Sequence, residues 1–159
     1  MLIFIKIIYA MKKLFFSVIC CFAFTFIFSQ NKPVVNANHI AFYVVKLAEA
    51  KKFYHNIIGL DTITEPFHDG KHCWLTTGNG VAIHLIEGAT VKKDYYKNNH
   101  TCFSVASIQS FMQKLKENNI GWEDVAGTKN AVTTRPDGVH QIWLQDPDGY
   151  WIEINDAKF

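Results

Sequence analysis

From residue 38 onward, apolar and polar positions follow two patterns that take turns along the chain. Residues 38–45 (NHIAFYVV) alternate with period two. Ile40, Phe42 and Val44 fall on one face and His39, Ala41 and Tyr43 on the other, which predicts a strand. Residues 47–58 place Leu47, Ala50, Phe53, Tyr54 and Ile57 on one side of a helix, which should stop at Gly59 in a left-handed terminal conformation. Strands are predicted over 60–64, 72–76 (HCWLT) and 81–86 (VAIHLI), the last two joined by the turn Gly78-Asn79-Gly80. The order then recurs: a strand over 100–105 (HTCFSV), an amphipathic helix over 108–118 ending near Gly121, and a short strand over 122–125. A long polar connection, 126–136, leads to a closing hairpin over 141–155, turned by Asp146-Pro147-Asp148-Gly149.

The two halves can be laid on one another. HIAFYV at His39 matches HTCFSV at His100, and Trp74-Leu75 followed by Val81 matches Trp143-Leu144 followed by Tyr150. The period is roughly 60–70 residues, which indicates a duplicated unit rather than a solenoid. The expected fold is therefore α+β: two βαβββ modules, 38–87 and 99–156, forming a curved mixed sheet around a metal-lined cleft.

The duplication sets Ile83-His84-Leu85 on Ile152-Glu153-Ile154. Four polar side chains thus occupy equivalent positions, His39 and His84 in the first unit and His100 and Glu153 in the second. Strand parity turns each away from the aliphatic neighbours that would pack on the helices. A carboxylate on a buried strand is costly unless paired or bound to a cation, and three imidazoles with one carboxylate suit Zn, Ni or Fe. We expect one divalent ion per site, held by His39, His84, His100 and Glu153. The same faces carry Tyr43, Cys102, Ser104, Trp151 and Asn155; of these Tyr43, Ser104 and Trp151 are expected to meet a substrate. Arg135, the chain's one arginine, could clamp a carboxylate or phosphate from the TTRPDG loop, and His140 could reach the cleft from the start of the last hairpin. His55, His68 and His72 have no counterpart in the repeat.

NHIAFYV, NIIGL, VAIHLIEG, NHTCFSV and DPDGYWIEIND together resemble the vicinal oxygen chelate superfamily. It includes glyoxalase I (lactoylglutathione lyase), methylmalonyl-CoA epimerase, fosfomycin-resistance thiol transferases and extradiol dioxygenases. The resemblance runs from about residue 38 to 155. It implies that the ligands come from the first and last strands of each module, here His39, His84, His100 and Glu153. A ligand at His84 points to the glyoxalase-like branch, where bacterial glyoxalase I has glutamate. The implied chemistry is that of a metal-dependent lyase or isomerase acting on a small α-hydroxy or α-keto compound or its thiol adduct. Glu153 would move the proton through a metal-stabilised enediolate. Relatives often build the cleft between two chains, which implies a homodimer. Two other functions fit the same family: an Fe-dependent extradiol-type dioxygenase using His39, His100 and Glu153, and a non-enzymatic small-molecule binder like the bleomycin-resistance proteins.

Composition changes the address more than the chemistry. Met11-Lys12-Lys13 precedes an apolar run over 14–28, with Ser29 at a cleavage point, so residues 1–29 read as a signal peptide whose true start could be Met11. The alternative is a membrane anchor through 14–28, although that run is short of the roughly 20 residues a span needs. Residues 30–37 are a leader and 38–159 the domain. The first 29 residues hold three lysines and no acid, leaving 13 basic against 14 acidic residues in an exported chain. A near-neutral protein argues against a nucleic-acid partner and against stable membrane association after cleavage. Cys73 and Cys102 remain, available for one bridge or as thiols. In a periplasmic or secreted setting glutathione is scarce, so the substrate's thiol, if it has one, need not be glutathione.

Overall fold

The computed structural model describes residues 35–158; the expected signal peptide, its start at Met11 and residues 30–34 of the leader lie outside the described residues. The alternating segments of the first half form β1 (His39–Val44), β2 (Asp61–Ile63), β3 (His72–Thr76) and β4 (Ala82–Glu87). Those of the second half form β5 (His100–Ser104), β6 (Thr133–Thr134), β7 (His140–Gln145) and β8 (Trp151–Asn155). They make two four-stranded sheets of the same plan, ordered β1-β4-β3-β2 and β5-β8-β7-β6. In each sheet the first strand runs parallel to the last, and the remaining pairs are antiparallel. The α+β fold of two βαβββ units is what the repeat predicts.

Strand parity decides what each sheet buries. Phe42, Val44, Leu75, Ile83 and Leu85 from one sheet join Ile142, Leu144, Ile152 and Ile154 from the other in a single apolar cluster, with Tyr54, Ile108 and Leu115 from the helices. Cys73 lies in that cluster whereas Cys102 is on the opposite face of its strand; both are free thiols.

The first helix departs from expectation in its second half. α1 (Leu47–Lys52) passes directly into a π-helical turn, Phe53–Ile58. Gly59 ends it at φ 94°, and the amides of Gly59 and Leu60 both donate to the Tyr54 carbonyl, at 3.1 and 3.0 Å. Lys46 offers no side-chain cap; the Glu87 carboxylate on β4 takes its place, accepting from the Leu47 amide at 2.7 Å. α2 (Ile108–Glu117) is capped within its own sequence, Ser107 Oγ accepting from the Ser110 amide at 3.1 Å.

The strand expected over 122–125 is reduced to bridges from Glu123 to Lys129 and to Trp143. A turn closed by the Gly127 amide on the Asp124 carbonyl (3.1 Å) reverses the chain before a ladder can extend. The connection expected over 126–136 in turn contains β6.

The DPDG turn joins the modules. Asp146 Oδ2 accepts from Tyr54 Oη at 2.9 Å, Asp148 Oδ1 from the Val45 amide at 2.7 Å, and Tyr150 Oη from the Tyr43 amide at 3.1 Å. Gly149 has φ 93°, and a Cβ there would run into the Lys93 carbonyl oxygen. Gly149→Ala is expected to cost ~2 kcal/mol from the left-handed backbone and the clash, measurable as a lower urea midpoint at unchanged slope. No helix among the described residues is long and apolar enough to cross a membrane.

Candidate metal centre

The outer face of the first sheet, turned away from the core, carries His39 from β1 and His84 from β4. The parallel register sets Ala41 opposite His84, so the two imidazoles approach diagonally, with ring centroids 5.6 Å apart. His39 Nδ1 contacts Asn38 Oδ1 at 2.7 Å. Trp74, opposite His84 on β3, stacks on it at 4.2 Å. His84 is buried, and its Nε2 has no hydrogen-bond partner. Burial, and then the neighbouring His72 and His39, lower its pKa, so it is a neutral donor in search of a cation or a proton donor.

The second sheet carries the other pair. His100 from β5 and Glu153 from β8 meet at 3.3 Å between Nε2 and Oε2. His100 Nδ1 donates to the Lys97 carbonyl at 3.1 Å, which orients the ring with Nε2 toward the carboxylate. Glu153 is buried. Its Oε1 accepts from Asn155 Nδ2 at 2.9 Å and from the Cys102 thiol at 3.5 Å. Burial first, and then the Glu153 charge, push that thiol up to about 12, so it remains a donor.

The four expected ligands are therefore brought together two by two. Among the described residues no group of three or more His, Cys, Asp or Glu side chains lies close enough to share an ion. β1 and β5, edge strands of their sheets, border a common groove of about 280 Å³ lined by Ile40–Phe42 and 99–101. A larger cavity, about 460 Å³, opens between Trp143, Trp151 and Glu123; neither His100 nor Glu153 lines it, but Trp143 lies 4.4 Å from His100 between rings.

The remaining expected residues separate. Trp151 walls that cavity, its indole bound to the Tyr95 carbonyl at 2.9 Å and covered by the Lys97 ammonium at 4.9 Å. Ser104 and Tyr43 are exposed on the ligand-bearing faces. Arg135 pairs with Asp137 at 2.6 Å, close enough to Cys102 for its charge to act on the thiol. His140 does not reach these faces: the register puts Gln141, Trp143 and Gln145 with Glu153, so His140 has the opposite parity and bonds Asp156 at 2.9 Å.

His72 has no partner in the repeat, yet it lies 5.2 Å from His84, between rings, with Nδ1 on Asp69 at 2.9 Å and Phe67 stacked on it at 4.2 Å. The signal was present in HCWLT. Cys73 and Leu75 must face the core, which turns His72 and Trp74 to the side of His84. Trp74 and Trp143, equivalent in the repeat, both bury an indole N–H without a partner.

A family model described as Glyoxalase/Bleomycin resistance protein/Dioxygenase superfamily matches residues 36–154. Among curated relatives, Glyoxylase I 4 from Arabidopsis thaliana is 27% identical over 128 residues, covering 76% of this chain and 70% of that protein. A glyoxalase family protein from Bacillus anthracis superposes with a TM-score of 0.63 at 26% identity, covering 81% of this chain and 100% of that one. A fosfomycin resistance protein from Listeria monocytogenes gives 0.62 at 18% identity, covering 79% and 96%, a likeness of fold alone.

Proposed function

The chain belongs to the Glyoxalase/Bleomycin resistance protein/Dioxygenase superfamily, and we propose that within it this protein is a metal-dependent lyase or isomerase of glyoxalase type. Its substrate is a small α-hydroxy or α-keto compound, or the thiol adduct of one. The observation that carries this reading is the pair of half-sites at repeat-equivalent positions. Each presents a donor atom: His84 Nε2 is buried without a partner, and Glu153 Oε2 faces His100 Nε2 at 3.3 Å. Neutral imidazoles and a carboxylate fit Zn, Ni or Fe. His39, His84, His100 and Glu153 would hold the ion, which when bound polarises the substrate's oxygens as a Lewis acid.

The chain's own residues do the rest. Glu153 Oε2 takes the proton from the hydroxyl-bearing carbon next to the carbonyl and returns it to the former carbonyl carbon, while the hydroxyl proton passes to the former carbonyl oxygen, so the substrate isomerises without net gain or loss of atoms. Trp151, which lines both the groove at His100 and the larger cavity beside Trp143, would bound the substrate's body. Residues 1–29 direct export, so the compound is met outside the cytoplasm.

Each ligand pair is half of a centre, and we propose that two copies of the chain complete one another, the first module of one facing the second module of its partner. His39→Ala and His100→Ala variants, each inactive alone, test this directly. If they are mixed under subunit exchange, half of the dimers are hybrids with one intact site in two, and activity returns to about a quarter of wild type. A mixture that stays inactive while hybrids form places the whole centre within one chain. Metal analysis of the purified protein tests the reaction class: Zn or Ni supports it, and Fe with oxygen uptake on catechols replaces it.

A further inference from the structure

The Glu153 carboxylate is held by a closed set of contacts on one of its two oxygens. Asn155, two residues along β8 on the same face, is buried, and its Oδ1 accepts from the Ala157 amide at 3.2 Å. That bond fixes the orientation of the side-chain amide, so Nδ2 must point the other way. It donates there to Glu153 Oε1 at 2.9 Å and to Cys102 Sγ at 3.1 Å. The Cys102 thiol hydrogen is directed at the same Oε1, 3.5 Å away. Oε2 is left facing His100.

The duplication supplies a control. The first module places Ala41 where Cys102 stands and Ile86 where Asn155 stands, beside His84. The holding groups accompany the carboxylate and are absent where the repeat has an imidazole, so the βαβββ unit itself does not call for them.

We propose that Asn155 and Cys102 are positioning residues for Glu153, occupying Oε1 so that Oε2 is the one oxygen presented to an ion or to a substrate proton. This rests on Glu153 being a ligand and base, as proposed above. A carboxylate already held in place loses little further freedom when it engages, and its second oxygen is not drawn into a two-oxygen grip on the cation.

Zn²⁺ affinity of the full chain, measured by competition with a chromogenic chelator, tests it without reference to turnover. Asn155→Leu, of similar size and without the amide, is expected to weaken Zn²⁺ binding by about 10–100-fold. Cys102→Ala should weaken it severalfold, and Cys102→Ser, which restores an O–H donor, should recover most of that loss. Cys102 is exposed on its strand, so its variants are informative even if Asn155→Leu folds poorly. A packing role alone would change thermal stability and leave Zn²⁺ affinity of the folded Cys102 variants equal. Tight wild-type binding, unchanged in Cys102→Ala and in folded Asn155→Leu, would overturn the positioning role and leave the metal reading standing. A wild-type protein with no affinity for Zn²⁺, Ni²⁺ or Fe²⁺ would remove both.

Discussion

Glu153→Gln is expected to lower turnover of a thiol adduct of a small α-keto aldehyde by about 10²–10⁴-fold, the range that a positioned acid–base group supplies. The fold should survive. Glutamine has the same length, and its carbonyl can still accept from Asn155 at the position of Oε1. The amide nitrogen then faces His100 Nε2, and it can neither take a proton nor serve as an anionic ligand. His84 is the weaker base of the ligand set: it is buried against Trp74, and burial, then His72 and His39, lower its pKa. Rates measured alongside circular dichroism and metal content separate the outcomes. A well-folded Glu153→Gln with undiminished turnover excludes the proton-transfer role.

Asp146→Ala should be the most destabilising single change at the junction of the modules, at about 3–4 kcal/mol. Three donors converge on this buried carboxylate: Tyr54 Oη at 2.9 Å on Oδ2, and the amides of Asp148 and Tyr150 at 2.9 and 2.8 Å on Oδ1. Removing the acceptor leaves all three to find others, at roughly 1–3 kcal/mol for each that stays unsatisfied. Asp146→Asn keeps an acceptor for the amides, and its nitrogen can donate to the tyrosine oxygen, so it should fold nearly as well as wild type.

The same pair of variants isolates a pH effect. Burial raises the Asp146 pKa to about 6, against the hydrogen bonds that lower it. The folded protein therefore binds this proton more readily than the unfolded chain. Its contribution to stability is fully present below the ordinary value of 3.8 and is lost as pH rises through about 6. Wild type should accordingly gain ~3 kcal/mol relative to Asp146→Asn between pH 7.5 and pH 3.5. Urea titrations of both proteins across that range give the difference, from which other titrating groups cancel. Parallel profiles would show that Asp146 carries its charge in the folded state as easily as in the unfolded.

The sheets were legible because their strands carry aliphatics on one face only. In NHIAFYVV or WIEIN a period of two, with aliphatics on alternate positions, has one reading, and the recurrence of the whole order reveals the second module. The same parity located His39, His84, His100 and Glu153 on outer faces. Parity stops at the edge of a sheet, however. It does not say whether two sheets of one chain turn their donors toward each other, and here the donors group as His39 with His84 and His100 with Glu153. Repeat equivalence does not reveal His72; its own alternation in HCWLT does. His140 was placed near the site from proximity in sequence, although counting from Glu153 through the hairpin register turns it away. The short pairing at Glu123 and the π-helical turn after Lys52 have no periodic signature. The first is set by tertiary pairing with Trp143, the second by the local convergence of the Gly59 and Leu60 amides on the Tyr54 carbonyl.

The closing hairpin also sets the order of events in making this protein. The three bonds that tie its turn to the first module join residues 92, 103 and 107 positions apart. Loop closure over such distances is slow compared with forming either module's local turns. Tyr54, Val45 and Tyr43 acquire these partners only after the turn at 146–150 has been made. Until then the first module lacks its latch. With export directed by residues 1–29, as proposed above, that delay would keep the chain from committing to its fold before the closing hairpin is available.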